Sequence, residues 1–213
     1  MTQAYFYDEQ LDQTDKQAFQ DRAEIRELLE YERYTRDSGL YEQEANCYSD
    51  DALIHVSWYD GPATGYFEKV AAAHGGGAKQ KIFYTEVWLN GDKAIAEMPV
   101  MMLSPRIKLD NQPIEVHSYA RIFTRLEKIN GLWKIVDADC IYERDEIIPV
   151  IPSVSINIDL KELTSYRESY QGLCYVLSRT GFESRQDLPG DDQPETVEKV
   201  YRNASNWFYE QRD

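Results

Sequence analysis

The amino-acid sequence predicts an α+β fold in which N-terminal helices pack on one face of a strongly curved, mainly antiparallel sheet. The first observation is the order of the elements, because three helical patterns within residues 21–73 precede a series of strand patterns. The second is Asn90-Gly91-Asp92, a tight-turn signal between two β-rich runs, and a second hairpin surrounds Glu127–Leu132. Helices followed by antiparallel strands favour a layer of helices on one sheet face. A curved sheet of this kind forms a cone whose mouth suits a small molecule.

The helical segments follow from apolar spacing and from stop signals. A first helix begins near Asp21, carries one apolar face and is stopped by Gly39. A third helix is expected over Tyr66–Ala73, ahead of a run of three glycines. Between them, an i, i+4, i+7 spacing predicts a short second helix that contains Tyr41, Ala45 and Tyr48.

The strand segments are rich in β-branched and aromatic residues and are separated by turn residues. The predicted strands are Ala52–Trp58, Ile82–Leu89, Lys93–Leu103, Ile114–Leu126 and Trp133–Tyr142.

The chain divides into an N-terminal arm (1–20), a domain (21–148) and a C-terminal helical extension (149–213). Pro149 and Pro152 end the sheet region. The extension carries two apolar helical stripes, one from Leu163 to Leu177 and one from Val197 to Phe208. Neither stripe is stable in water uncovered, so the extension is expected to pack on the core near the cone mouth, or across a dimer.

Composition excludes several classes of partner and cofactor. The net charge of −15 opposes binding to nucleic acid or to an anionic membrane surface. No apolar run is long enough to span a bilayer, and the polar N-terminus lacks the pattern of a signal peptide. Three dispersed cysteines fit neither a disulfide framework nor a zinc site. We therefore expect a cytoplasmic protein with no metal or nucleotide cofactor.

Three stretches carry a resemblance to a known family. They are DRAEIRELLEYERYTRDSGLYEQEANCYSDDALIHVSWYDGPATG at 21–65, EVWLNGDKAIAE at 86–97 and ARIFTRLEKINGLWKIVDADCIYERD at 120–145. Together they resemble the NTF2-like superfamily, in its SnoaL-like, scytalone dehydratase-like branch, over about residues 20–145. The resemblance implies the cone fold, and this fold serves dehydratases, isomerases, cyclases and non-enzymes alike.

Asp37 is the leading catalytic candidate, because the resemblance places it on the branch's acidic residue at the end of the first long helix. A carboxylate in an apolar pocket can act as a general base or orient a histidine. The alternative is a polar residue that caps the helix or faces water. The branch's paired histidine falls here on Gln80 or Lys81, and its second histidine falls near Ser104. A His–Asp mechanism therefore does not transfer to this chain.

His117 is the second catalytic candidate. Strand alternation places His117, Tyr119 and Arg121 on one face, which is expected to line the cone. The alternative is that this face is outside, with Val116 and Ile122 inside. The two other histidines, His55 and His74, are expected to be structural and loop-exposed.

Arg121 is expected to bind a substrate carboxylate or phenolate through a bidentate contact, although it could equally pair with Asp37 or Asp139. The predicted substrate-binding residues are Tyr34, Val56, Trp58, Met102, Ser104, Tyr119 and Arg121.

Two functions remain open at this point. The first is a cofactor-independent small-molecule enzyme, a lyase, isomerase or cyclase that acts on an aromatic or polyketide-like substrate by general acid–base catalysis. The second is a non-catalytic protein that binds a small ligand in the same cone. A homodimer is expected through the open face of the sheet, supplied by Trp88 and Trp133.

Overall fold

The computed structural model describes residues 4–72, 77–104, 107–109, 111–179, 181 and 183–210. Its α-helices are α1 (Lys16–Ser38), α2 (Tyr41–Ala45), α3 (Ala63–Ala72), α4 (Leu160–Leu163), α5 (Gln171–Leu177) and α6 (Pro194–Tyr209). Two short 3₁₀ helices cover Phe6–Asp8 and Glu168–Tyr170. None of the described helices combines the length and the apolar character that a bilayer span requires.

One sheet runs through the molecule in the order β2-β1-β8-β7-β5-β3, with β4 also paired to β5 and β6 to β7. Its strands are β1 (Tyr48–Val56), β2 (Tyr59–Pro62), β3 (Lys79–Ile82), β4 (Glu86–Asn90), β5 (Lys93–Leu103), β6 (Ile107–Leu109), β7 (Gln112–Ile129) and β8 (Leu132–Pro149). Only the β1–β8 pairing is parallel among the described pairs. The predicted α+β class with a mainly antiparallel sheet is confirmed.

The first helix is held at both ends by its own sequence. The side chain of Asp15 accepts a hydrogen bond from the backbone N–H of Ala18, as an N-cap residue does. Gly39 has a φ of 73°, and its N–H bonds to the last carbonyls, so the left-handed position falls on the residue that adopts it without strain. Ile25 and Leu29 are buried against the sheet. The helix starts at Lys16, five residues before Asp21, the residue near which the apolar pattern predicted its start.

The longest strands, β7 and β8, bend where their pairing register shifts. One shift lies between Tyr119 and Ala120, and a second lies between Arg125 and Leu126. Extra residues of this kind bend a strand and increase its twist. The inner face of the bent sheet packs on α1 and α3 through a core that includes Met98, Val100, Ala120, Leu126 and Ile135.

The outer face of the sheet is covered by the chain itself. Helix α6 and Phe6 of the N-terminal arm pack on Ile95, Phe123 and Ile141 of the sheet. Trp88 packs on Phe6 at 4.9 Å between ring centroids, and Trp133 lies on the opposite side, where its Nε1 donates to Asp21 Oδ1 at 3.2 Å. Neither tryptophan therefore supplies an exposed surface for a homodimer, so the prediction that the two residues form the dimer interface was wrong. A homodimer stays a prediction.

The C-terminal extension departs from its prediction in one helix. The stripe from Leu163 to Leu177 is broken into α4, a 3₁₀ turn and α5. The break has a tertiary cause, since the carboxylate of Asp145 on β8 accepts hydrogen bonds from the N–H groups of Gly172 and Leu173, at 3.0 and 2.7 Å. This contact fixes the start of α5 over the inner face of the sheet.

Candidate functional site

A cavity of about 290 Å³ lies between the inner face of the sheet, helices α1 and α3, and helix α5. Its walls are largely apolar. The aliphatic, thioether and indole side chains of the lining belong to Ile54, Val56, Trp58, Val70, Met102, Ile107, Val116, Ile122, Leu173, Val176 and Leu177. Three of these residues come from α5, so the C-terminal extension closes one side of the cavity.

Strand alternation determines which side chains reach the cavity. On β7 the lining residues are Val116, Ser118 and Ile122, and on β8 they include Ala138, Cys140 and Tyr142. The predicted binding residues Val56, Trp58, Met102 and Ser104 also line the cavity. Ser104 has a structural contact as well, since its Oγ accepts a hydrogen bond from the N–H of Val116 at 2.7 Å.

The prediction that His117, Tyr119 and Arg121 face the cavity was wrong. Arg121 lies on the outer face, where its guanidinium binds Glu143 at 2.8 Å and Asp191 at 2.9 Å. The guanidinium carbon of Arg144 lies 4.0 Å from the ring centroid of Tyr119. The physical reason is that the helices cover the apolar and small side chains of β7, while its polar side chains find charged partners on the other side.

The remaining two predicted residues also lie outside the cavity lining. Tyr34 is 62% exposed on the solvent side of α1. Asp37 stands just behind the wall, because its Oδ2 accepts a hydrogen bond from the backbone N–H of Gln80, a lining residue, at 2.7 Å. Asp37 and His117 are therefore not brought together.

Arg36 and Tyr66 form the polar floor of the cavity. Both residues line it, and Arg36 Nε donates a 2.9 Å hydrogen bond to the hydroxyl oxygen of Tyr66. Burial raises the pKa of the Tyr66 hydroxyl, so it keeps its proton at neutral pH. Because Tyr66 accepts from Arg36, its own proton can be donated to a molecule in the cavity.

Arg33 is the second arginine of the floor, one helical turn before Arg36. Its guanidinium forms an ion pair with Glu32 and donates to Gln80 Oε1 at 3.0 Å. Glu32 in turn accepts a 2.9 Å hydrogen bond from the hydroxyl of Tyr48. Arg33 is thus compensated by a close carboxylate. Arg36 is not, since its nearest carboxylate oxygen among the described residues is Asp37 Oδ1 at 4.0 Å.

Three buried polar groups at or near the cavity have no hydrogen-bond partner within the described part of the chain. They are the hydroxyl of Ser118, Oδ1 of Asp37 and both carboxyl oxygens of Glu44. Buried polar groups are nearly always paired, so each of these needs an explanation. Burial is the main cause that raises the pKa of Glu44 to about 8, and the neighbouring charge of Glu32 adds to it.

Comparison with known proteins identifies the family. The model of the SnoaL-like domain matches residues 17–139 of this chain. The chain belongs to the SnoaL-like domain family. This membership confirms the resemblance drawn from the three sequence stretches.

This SnoaL-like chain is similar to pea pathogenicity protein 2 of Fusarium vanettenii, with 26% identity over 202 residues that cover 88% of this chain and 85% of the relative. Among solved structures, it is similar to a hexachlorocyclohexane dehydrochlorinase, LinA-type3 from Novosphingobium barchaimii, with a TM-score of 0.53, 19% identity, and 65% of this chain and 97% of that chain covered. A putative scytalone dehydratase from Novosphingobium aromaticivorans gives a TM-score of 0.51 and 13% identity, over 67% of this chain and 95% of that chain. The two structural similarities establish the fold.

On its outer face, the SnoaL-like sheet carries a group of potential metal ligands, one of which, Asp139, is also among the residues that line the cavity. Atoms of His55, Asp137 and Asp139 lie within 4.8 Å of one another. Arg125 already contacts Asp137 at 2.5 Å, and His55 contacts Asp60. The contact with Asp137, whose Oδ2 lies 3.7 Å from Nε2 of His55, is the main cause that raises the pKa of His55 to about 9. Burial is the main cause that raises the pKa of Asp139 to about 7. Because cationic side chains compensate these carboxylates, the group is an ion-pair network. His74, the remaining histidine, lies outside the described residues.

The sequence analysis missed Arg33, Arg36 and Tyr66. One signal was available, since two arginines three residues apart directly precede Asp37 on the same helix. On an isolated helix, however, such arginines are typical of a solvated face. Only the packing of α3 on α1 brings Tyr66 against Arg36.

Proposed function

We propose that the cavity is the active site of a cofactor-independent lyase or isomerase that acts on a small, mostly apolar molecule with one reactive oxygen. The observation that carries this proposal is the hydrogen-bonded pair of Arg36 and Tyr66 beneath a cavity whose walls are mostly apolar. The apolar part of the ligand would contact the apolar side chains of the cavity, and its oxygen would contact Arg36 and Tyr66. Trp58 stacks on Tyr66 with ring centroids 5.2 Å apart, which favours a flat, aromatic or unsaturated body.

The floor suits a reaction in which negative charge develops on oxygen. When a proton leaves a carbon next to a carbonyl group, the electron pair moves onto the carbonyl oxygen as an enolate. Arg36 supplies a fixed positive charge and Tyr66 supplies a proton donor. Both act in a poorly solvated cavity, where such interactions are strong and need no reorganisation. The pair thus performs the task of an oxyanion hole.

Asp37 is the candidate base for this proton. Its Oδ1 is buried, lacks a hydrogen-bond partner among the described residues and lies 4.0 Å from Arg36. The other oxygen is held by the N–H of Gln80, so the carboxylate is oriented with one oxygen unused. This arrangement replaces the pairing of Asp37 with His117 that the sequence suggested.

The names of the relatives are compatible with this reaction class. The dehydrochlorinase and the putative scytalone dehydratase that share the fold are both named for eliminations. An elimination and an isomerisation can both begin with loss of a proton from carbon. Loss of a proton from carbon is therefore the proposed first step, whichever group leaves afterwards.

Hydrogen–deuterium exchange tests that step without knowledge of the product. The purified protein is incubated in D₂O with a panel of aryl ketones and cyclic enones, each tested with and without a carboxylate substituent, and loss of the α-proton signal is followed by NMR. We expect exchange faster than in buffer for at least one compound, reduced in Arg36→Gln and unchanged in Arg121→Gln, which alters an outer-face arginine. Exchange at the buffer rate across the panel would contradict the enzyme assignment.

A second candidate, a non-catalytic ligand-binding protein, is favoured by one observation. Asp37 lies behind Gln80 and Arg36, outside the residues that line the cavity. If neither Asp37 nor Asp139, which is among the lining residues, reaches the ligand with its carboxylate, the floor binds an oxygen but removes no proton. Binding of panel compounds without exchange would support this second function.

A further inference from the structure

Glu44 is a buried carboxyl group that the proposed chemistry does not use. It lies on α2 with 0% exposure, and neither of its side-chain oxygens has a hydrogen-bond partner within the described ranges. An ionised carboxylate in that position would lose its hydration without gaining a donor. The geometry therefore favours the neutral, protonated form of Glu44.

The groups around Glu44 belong to the cavity floor and its immediate support. Helix α1 contributes two cations and two carboxylates, the chain next to α2 contributes a thiol and a phenol, and α3 contributes a second phenol. The residues concerned are Glu32, Arg33, Arg36, Asp37, Cys47, Tyr48 and Tyr66. Burial raises the pKa of the Cys47 thiol to about 12 and that of the Tyr48 and Tyr66 hydroxyls above their usual range, so all three stay neutral near pH 8.

In this group two cations face two carboxylates, and the cavity lining adds a third cation, Lys69 of α3, so the site can take one more anion. Arg33 is paired closely with Glu32, and Arg36 has only the 4.0 Å contact with Asp37. A neutral Glu44 adds no negative charge beside Arg36. An ionised Glu44 would add one, and would occupy the electrostatic position that a bound anion needs.

We propose that Glu44 is kept uncharged beside Arg33 and Arg36 so that the cavity selects a ligand that enters as an anion, a carboxylate or phenolate on an apolar body. The inference rests on the proposed function for the position of the ligand, and it names the substrate class. Glu44 is a positioning residue here, since it acts through the two arginines and does not line the cavity among the residues described.

The proposal gives binding a definite pH dependence. Ionisation of Glu44 and binding of the anion compete for the same arginines, so the anion binds best to the protein with Glu44 protonated. By linkage, affinity is constant well below a pKa of about 8 and falls above it. The fall is at most about tenfold between about pH 7 and about pH 9, because a single proton is involved.

The test compares 1-naphthoate with its neutral analogue 1-naphthamide by calorimetry, on the full chain. We expect naphthoate to bind at neutral pH at least about tenfold more tightly than naphthamide, and to weaken above about pH 8. In Glu44→Gln, a neutral side chain of the same shape, naphthoate should bind as tightly at neutral pH and keep its affinity at alkaline pH. Arg121→Gln, which removes an outer-face arginine, should leave both affinities unchanged.

Two other results would contradict the proposal. Equal affinity for naphthoate and naphthamide, or no binding of naphthoate, would overturn the anion selectivity. An alkaline fall that persists in Glu44→Gln would assign the titration to another group, such as His55 with its pKa of about 9, and would overturn the role of Glu44. Circular dichroism at each pH establishes that the variant is folded. The exchange experiment has a separate readout, so failure of the lyase or isomerase assignment is recognised independently.

Discussion

Arg36 and Tyr66 are joined by a 2.9 Å hydrogen bond from Nε to the hydroxyl oxygen, beneath a cavity whose walls are mostly apolar. The two residues come from different helices, α1 and α3, so the contact exists only when both helices are packed on the sheet. A cation and a phenol in this position form a binding point for one oxygen atom.

Replacing Tyr66 by phenylalanine should lower the rate of proton exchange by roughly 10- to 100-fold, because one of the two oxyanion donors is lost. The same change leaves Arg36 Nε without a partner and should cost about 1–3 kcal/mol of unfolding free energy. Exchange by NMR and urea unfolding measure the two effects. Tyr119→Phe on the outer face is the matched control, and an equal loss of exchange in that variant would contradict the assignment.

Asp37→Asn should abolish exchange if Asp37 is the base, while naphthoate still binds. The asparagine carbonyl can accept the hydrogen bond from the N–H of Gln80, so the melting temperature should change little. Single-turnover exchange and thermal unfolding separate the two roles. A large loss of stability with exchange retained would make Asp37 structural.

Ser118→Ala tests the unpaired hydroxyl in the cavity. Ser118 is 1% exposed and its Oγ has no partner among the described residues, so its removal should leave unfolding free energy unchanged or raise it by less than about 1 kcal/mol. If the hydroxyl serves the ligand, affinity should fall about fivefold. Ser205→Ala is the control, because Ser205 Oγ accepts from the N–H of Phe6 and donates to the carbonyl of Tyr201, so that variant should lose stability and keep its affinity. The reverse pattern would count against a ligand contact at Ser118.

The part of the fold that follows from local sequence was predictable. Asn90-Gly91-Asp92 predicted the hairpin of β4 and β5, and Gly39 predicted the end of α1. Prediction from local sequence fails where contacts between elements distant in the chain determine the structure. Alternation on β7 defines two faces, but only the packing of α6 and Phe6 on Phe123 shows that the His117 face is outside.

The candidate site was less predictable than the fold for the same reason. Four lining residues were found on strands or directly after strand ends, where alternation and the family resemblance apply. Arg33 and Arg36 resemble solvated helix residues, and only the folded protein places Tyr66 against Arg36 and Gln80 against Arg33. Similarly, the start of α5 depends on Asp145, which lies 27 residues before Gly172 in the chain.

The ion-pair network on the outer face predicts how stability depends on pH. The pKa of His55 is raised from 6.5 to about 9, so its contribution is fully present below about pH 6.5 and is lost as pH rises through about 9. Loss should be on the order of 1–2 kcal/mol, allowing for solvent screening. Because the pKa of Asp139 is raised to about 7, its contribution to the free energy of unfolding is also lost as pH rises, at a lower pH than that of His55. Urea unfolding near pH 6 and pH 9.5 measures the difference.

His55→Gln removes the titrating group and should flatten the alkaline part of this dependence. Its stability should approach that of the original protein near pH 9.5 and lie below it near pH 6. An unchanged slope in His55→Gln would show that another group controls alkaline stability.

The most direct test of the binding site is a crystal structure with 4-bromobenzoate, in which anomalous scattering from bromine locates the ligand. We expect one bromine peak inside the cavity, with the carboxylate within hydrogen-bond distance of Arg36 and Tyr66. A cavity without ligand at saturating 4-bromobenzoate, or a carboxylate bound at Arg121 on the outer face instead, would contradict this expectation.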